Sequence, residues 1–506
     1  MAEAQTAAPK ALAEAVLHDK EILGIDVVDS TAPTDITQTP EEREAEARLE
    51  RRLKWKIDLV ILPMMALMYF LSSMARNDLG NAKVAGMTED LNISPKQYSN
   101  LASIFLVGYI VFQIPGTVLV RMIGPPVQFS CAMMMWGVFT ACHVVANTYG
   151  TLMGLRFLVG VAEAFLEGGV FYLSFWYTYT ELATRGAIFY STSALAGSFN
   201  GLIAYGIEKN LAGDRGWESW RWLYLVEGVL PIGCSLILLL LLPGTPEKRH
   251  FLFTKEEREL AIRRSRRAFN PEDAKLRPKL IIKPLLKPHF WLLSAIYAFN
   301  HFSVSSLSNF LPAIIKGFGY STVRAQLMSV IVYACALVGI NFFARIGDKI
   351  NRRGLPLLAA SACASLGFIL LLAVTNLKGR MAATCILAFG IYATIPLSTT
   401  WLTLNIGGYT QRGAATAMMN MIAQAFSISG NQAYIDPPIY RRGIGSSLGL
   451  TVAHAVAVMA MLWVVKRRND AKDKLRASLS PEELEQRRAE SWDLVGDDHI
   501  DFKHGY

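Results

Sequence analysis

Apolar stretches long enough to cross a bilayer recur along this 506-residue chain, and that recurrence leaves few folds open to it. As α-helix, about 18 to 24 residues cover a hydrocarbon core of ~30 Å. Such windows fall near 57–75, 98–120, 127–146, 151–172, 186–207, 223–242, 290–313, 325–345, 355–374, 381–401, 414–434 and 446–465, which predicts twelve crossings. With 52% hydrophobic and 18% charged residues, the chain holds more apolar sequence than one soluble core can bury. The expected fold class is an all-α integral membrane protein, because helices satisfy their own backbone groups in lipid.

The net charge of +9 raises the question of nucleic acid, but the basic residues follow the membrane and form no single patch. They gather before the first span at 51–56, along 248–287, in 345–353 and after the last span at 466–468. An even number of spans puts all four on one side, which the positive-inside tendency assigns to the cytosol together with both termini. Arg441-Arg442 runs against this bias, in a tight turn. Residues 1–54, rich in Ala, Glu, Thr and Pro without a sustained apolar face, read as a disordered cytosolic tail. The charged, proline-bracketed segment 244–288 separates two six-helix halves, 55–243 and 289–468, and 469–506 reads as a second cytosolic tail. That division suits two pseudo-repeated bundles around a central site. The start of the chain lacks a cleavable signal pattern, and the six cysteines, without metal-ligand spacing, read as small apolar residues.

Polar residues inside the spans carry the functional signal. The fourth span contains RFLVGVAEAFLEGG, with Arg156, Glu163 and Glu167 at offsets of seven and four, on roughly one helical face. Each costs about 2.5 to 3.5 kcal/mol in a span and is normally directed at a partner or a watery cavity. Arg76 and Asp78 are expected at the external end of the first span, as an anion contact and a proton-handling carboxylate or as a snorkelling interfacial pair. In the seventh span, Asn300, His301 and a serine cluster suggest a cavity wall, with His301 divided between substrate contact and structural hydrogen bonding. Trp401 and Asn405 of the tenth span are further ligand candidates, with packing an equal explanation. Gly347, Asp348, Arg352 and Arg353 form a loop cluster able to latch helix ends in one conformation and release them in another. Asn92-Ile93-Ser94 is a glycosylation sequon on the predicted outer side, and the following Pro95 works against its use. Glu227 has no partner identifiable from sequence.

The basic central loop, GDKINRR after the eighth span and RFLVGVAEA in the fourth resemble the major facilitator superfamily. LGNAKVAGM (79–87), YSTSALAGSFNGLIAYGI (190–207), WRWLYLVEG (220–228) and NIGGYTQRGAATAM (405–418) resemble more closely its fungal allantoate permease branch of anion:cation symporters. The resemblance implies twelve helices in two bundles that rock about a central site. It further implies proton-coupled uptake of a small organic anion, with charge handled by an Asp-Arg pair in the first span and an Arg and a Glu in the fourth. Arg76, Arg156 and Glu163 match that pattern. Ala75 stands where the pattern has Asp, and Glu167 is an additional carboxylate.

The expected protein is a secondary transporter for a vitamin-like carboxylate, allantoate or similar anion, acting as a monomer in the plasma membrane. Arg76, Arg156, Asn300, His301, Trp401 and Asn405 would bind substrate, and Glu163, Glu167 and Asp78 would couple protons. A uniporter or an exporter of a fungal metabolite is the alternative within the fold, and a non-transporting nutrient receptor is the alternative outside it. No GxxxxGK[ST], metal cluster or nucleophile-base pair points to an enzyme, and no cofactor is implied.

Overall fold

The computed structural model describes residues 40–506 apart from 174, 270–281, 408 and 491–494, and the described residues form helices and connecting turns without strands. Most of the expected N-terminal tail lies outside the described residues. From Pro40 onward the chain is helical. Helix α1 (Pro40–Lys56) runs through a π-helical turn (Ile57–Ile61) into α2 (Leu62–Val84). Leu53 is buried, and Lys56 Nζ reaches Glu257 at 2.7 Å, so tertiary contacts order a segment whose composition alone gave no reason for order.

The first half continues with α3 (Pro95–Ile123), α4 (Pro125–Ala141), α5 (Tyr149–Ala164), α6 (Tyr179–Asn210) and α7 (Ser219–Leu241). Helix α8 (Lys255–Phe269) lies between the halves in sequence. The second half is built from α9 (Pro288–Gly317), α10 (Thr322–Ile350), α11 (Gly354–Ala373), the consecutive α12 (Leu377–Ile391) and α13 (Thr394–Asn405), α14 (Tyr409–Ala433) and α15 (Arg441–Ser478). Caps mark several starts: Ser94 and Gln97 form a capping box at α3, with Pro95 at the first helical position.

Among the described residues, eight helical segments are long and apolar enough to cross a membrane, by length and composition. Of the other crossings, α5 is short, at 16 residues before the chain turns, and α6, α9 and α14 are diluted by glycine, serine, asparagine and charge. Those residues suit helices that face other helices more than lipid. In the first half α2 packs on α6, α3 on α5 and α4 on α7; in the second, α9 packs on α14, α10 on α12 and α11 on α15. The same pairing thus occurs twice in the same order, giving a twelve-helix membrane fold of two six-helix pseudo-repeats. Between the halves, α2 meets α9, α3 meets α14 and α6 meets α10.

Two of the intrahalf crossings are tight enough to require glycine. A Cβ on Gly160 of α5 would lie 2.1 Å from the Phe105 carbonyl oxygen of α3, and one on Gly339 of α10 would lie 2.0 Å from that of Phe389 on α12. Gly160→Ala is therefore expected to destabilise the protein by about 1 to 3 kcal/mol, the usual cost of overpacking. A thermal melt of purified protein checks this, with Gly154→Ala as control, because a Cβ there meets nothing within 4 Å.

Helix α8 shares one face of the molecule with α1 and the segment 495–506. On this linker face, Arg264 of α8 pairs with Glu181 at 2.6 Å, and Glu181 also receives Lys54 at 2.8 Å. Burial alone would raise the Glu181 carboxyl, but Lys54, the Thr178 backbone amide and Arg264 outweigh it and hold it near about 2. On the opposite, far face the halves are in contact. Tyr98 donates its hydroxyl to the Asn309 carbonyl at 2.8 Å, Lys316 reaches the Val84 carbonyl at 3.3 Å, and Gln432 donates to Asn100 at 3.0 Å.

The chain's last segment differs from a free tail. Helix α15 continues to Ser478, and residues 495–506 fold back onto the linker face of the second half. Asp497 is fully buried there, bonded to Lys287 and 3.2 Å from both His289 and Arg468. Lys472 Nζ donates to the carbonyls of His499 and Phe502, both at 2.9 Å.

Candidate functional site

Three residues of α2, Tyr69, Ser72 and Arg76, lie at offsets of three and seven and so share a face of the helix, directed at α5 and at the seam between the halves. Ser72 Oγ donates to Glu163 Oε2 at 2.8 Å, and Arg76 Nε donates to the same oxygen at 2.9 Å. Glu163 is completely buried, whereas the Arg76 side chain keeps 30% of its surface exposed. The guanidinium therefore binds Glu163 with one edge and leaves part of itself open. Aromatic rings fix its position, with Tyr109 at 4.8 Å and Phe105 at 5.8 Å from the guanidinium carbon.

Arg156 approaches the same ring pair from α5, 5.3 Å from the Phe105 centroid, and is buried. Its Nη1 is 3.5 Å from the carbonyl oxygen of Ala75, and its Nε has no partner. The alanine at position 75 offers Arg156 a backbone carbonyl and no side-chain charge. Among the described residues, Arg156 is a buried cation without an ion pair.

The expected charged row of the fourth span is divided. Helix α5 ends at Ala164, and residues 165–168 form turns before a short helix at Gly169–Leu173. Arg156 and Glu163 stay on one helical face, but Glu167 falls in the turn and points elsewhere. It accepts the Tyr109 hydroxyl and, at 3.1 Å, the Asn420 amide of α14 from the other half. The residues after Ala164 abandon helical geometry at a run containing two glycines, so an ideal period over-extends the face.

From the second half, His301 on α9 is half-buried with its Nε2 unpartnered, and its ring lies 4.3 Å from that of Tyr297. Ser427 Oγ holds the His301 backbone carbonyl at 3.2 Å. Arg76 and His301 are near enough to interact electrostatically across the seam. The seam between the halves therefore brings Tyr69, Arg76 and Glu167 of the first half together with Tyr297, His301 and Asn420 of the second. Among the described residues, four formally charged groups gather near it: Arg76 and Arg156 against Glu163 and Glu167.

Other candidates lie away from this constellation. Asn300 is buried with its amide nitrogen unpartnered. Trp401 Nε1 and Asn405 Nδ2 both donate to the Gly505 carbonyl, at 2.8 and 3.1 Å, so these two side chains hold the folded-back tail at the linker face. Arg76 and Asp78 are not at a helix end. Helix α2 continues to Val84, and Asp78 is fully buried against Asn200 of α6, which donates to it at 2.7 Å. The apolar window stopped short because the helix continues through polar residues that satisfy one another. Glu227 on α7 joins Asp78, with the Asn200 amide 3.5 Å from its Oε2.

In the loop cluster, Asn351 caps α10 in the left-handed region at φ 50°. Arg353 Nη2 pairs with Asp348, the Arg353 amide donates to the Tyr506 carbonyl, and Arg352 lies 5.7 Å from the Tyr506 ring. Asn92 of the sequon is exposed at a positive φ of 50°, and Ser94 is occupied as the cap of α3. Ser72, Tyr69, Tyr109, Tyr297 and Asn420 were not selected from sequence. The spacing of Tyr69 and Ser72 relative to Arg76 was the available signal for two of them.

The profile of the Major Facilitator Superfamily matches residues 65–430. An uncharacterized transporter of Schizosaccharomyces pombe is 31% identical over 467 residues, covering 91% of this chain and 93% of its own. The high-affinity nicotinic acid transporter of Saccharomyces cerevisiae is 30% identical over 84% of this chain and 79% of its own. A solved bacterial homolog of the human lysosomal transporter Spinster, inward-facing and unoccupied, shares the fold at 18% identity. Its TM-score is 0.62, over 83% of this chain and 98% of that one. Twelve helices in two repeated bundles, charged and polar residues at the seam between them and similarity along most of the length agree on one conclusion: this chain belongs to the Major Facilitator Superfamily of membrane transporters.

Proposed function

We propose that the protein takes up a small organic anion together with a proton by alternating access, as a member of the allantoate permease branch, in the plasma membrane with both termini cytosolic. The observation that carries this reading is the Arg76–Glu163 pair, in which a buried carboxylate neutralises an arginine that is still partly exposed. With Glu163 ionised, the pair is neutral and offers an incoming carboxylate little. With Glu163 protonated, Arg76 is released as a cation, and its planar fork suits a carboxylate. Anion and proton then bind in mutual dependence, which is the requirement for symport. Arg156, without an ion pair of its own, adds positive potential. A nicotinic acid transporter among the relatives supports a vitamin-like carboxylate as the substrate class.

The test is uptake of labelled nicotinate, with a panel of carboxylates and ureides, by purified protein in liposomes with and without an inward proton gradient. Accumulation that requires the gradient is expected, and Glu163→Gln is expected to reduce it to equilibration or less. Gradient-independent equilibration by the unmodified protein would replace symport with uniport, the reading favoured by the unpaired state of Arg156 beside Ala75.

A further inference from the structure

We propose that Asp78 and Glu227 form a second proton-binding site, distinct from Glu163, which holds one proton between two carboxyl groups while the far face is closed. The proposal rests on the proton-coupled reading above for its purpose, although not for its chemistry. Asp78 on α2 is fully buried and Glu227 on α7 is 3% exposed. The Asn200 side-chain amide of α6 lies between them, 2.7 Å from Asp78 Oδ1 and 3.5 Å from Glu227 Oε2, and it also donates to the Met74 carbonyl at 2.9 Å. An amide nitrogen has two hydrogens, so these three acceptors exceed what it can supply. Asp78 Oδ2 and Glu227 Oε1 have no partner among the described residues.

Two adjacent carboxylates buried within a membrane span cannot both carry charge, because desolvation and mutual repulsion act in the same direction. One retained proton removes one charge and supplies the missing donor. A second feature points into the same place. The Tyr224 hydroxyl, one turn before Glu227, is buried without a partner among the described residues and lies within electrostatic reach of both carboxyls. The surrounding groups leave the pair's charge uncompensated by any ion pair among the described residues. Arg156 of α5 acts on Asp78 from a distance and Glu163 opposes it. His143, at the far-face end of α4, is stacked 4.4 Å from the Tyr224 ring, and α6 and α10 present the uncharged Asn200 and Gln326.

The connection to the seam is direct. Asn81 Nδ2 donates to Asn200 Oδ1, and the Asn81 backbone carbonyl accepts Gln326 Nε2 of α10 at 3.3 Å. Separation of the halves at the far face breaks the Gln326 contact and loosens the amide chain that seals the pair. Water from that side then loads or removes the proton, which is transferred as H⁺ between hydronium or water and a carboxyl oxygen without any other bond changing. When the face closes, the pair is locked in the state it holds.

The test is infrared difference spectroscopy of the full chain in lipid nanodiscs, reading the C=O stretch of protonated carboxyl groups at neutral pH without substrate. The unmodified protein and Glu163→Gln are expected to show the band, and the double variant Asp78→Asn/Glu227→Gln is expected to lose it. The single variants Asp78→Asn and Glu227→Gln each leave one buried acid, so they are expected to keep the band at a shifted frequency, which provides a readout if the double variant does not fold. A band unchanged in all three variants would overturn the site. Uptake that ignores a proton gradient would overturn the symport reading and leave the infrared result standing.

Discussion

Arg76→Ala is expected to lower nicotinate uptake at sub-saturating concentration by about 100-fold. Truncating one partner of a desolvated, hydrogen-bonded charge pair costs about 2 to 5 kcal/mol, and the partial exposure of Arg76 favours the lower part of that range. About 2.7 kcal/mol corresponds to the 100-fold effect. Two losses combine: the substrate carboxylate loses its planar donor, and Glu163 keeps only Ser72 as a partner in a fully buried position. Arg76→Lys retains charge but loses the Nε contact and the stacking on Tyr109, so an intermediate effect of roughly tenfold is expected. The double variant Arg76→Ala/Glu163→Gln separates folding from transport. It removes the uncompensated carboxylate and should recover thermal stability without recovering uptake. Full uptake by Arg76→Ala would remove this arginine from the substrate path.

Lys83→Ala is expected to shift the protein toward an open far face by about 30-fold in the ratio of the two states. The Lys83 ammonium sits 4.0 Å from the Tyr98 ring centroid, 5.2 Å from that of Phe310 and 5.4 Å from that of Tyr440. It also donates to the Tyr440 hydroxyl at 3.0 Å. Lys83 and Tyr98 belong to the first half, Phe310 and Tyr440 to the second, so the cage closes only when the halves meet. A desolvated cation–π contact contributes about 2 kcal/mol, and about 30-fold corresponds to that amount. Distances between spin labels placed at the exposed Asn92 and Lys378 in lipid read the shift directly. The distribution should lengthen in Lys83→Ala and stay short in Lys83→Arg. An unchanged distribution in Lys83→Ala would show that the other seam contacts hold the face closed without the cage.

The sequence made the helices legible because the hydrocarbon core imposes a length and a composition that each apolar window must satisfy independently of its neighbours. It failed where polar residues extend a helix. Arg76 and Asp78 looked terminal because the apolar run ends before them, yet α2 runs on to Val84. It failed again where helical geometry stops. Glu167 is aligned with Glu163 on paper, but the chain turns between them and sends it to Asn420. Trp401 and Asn405 carry the same chemistry as ligand-binding residues; that they bind Gly505 depends on a tail 100 or more residues away along the chain.

The order of residues alone shows that the chain crosses a membrane and that Arg156 and Glu163 share a face of one helix. A helical period fixes angular positions within one element, and bilayer thickness fixes its length. Packing between helices sets the pairing of Glu163 with Arg76, the sharing of Asn200 by Asp78 and Glu227, and the aromatic cage around Lys83 across the seam. Those pairings depend on how each helix is rotated about its axis and which helix it meets. Packing of small residues at crossings such as Gly160 against Phe105 sets both, and a single helix's sequence contains neither.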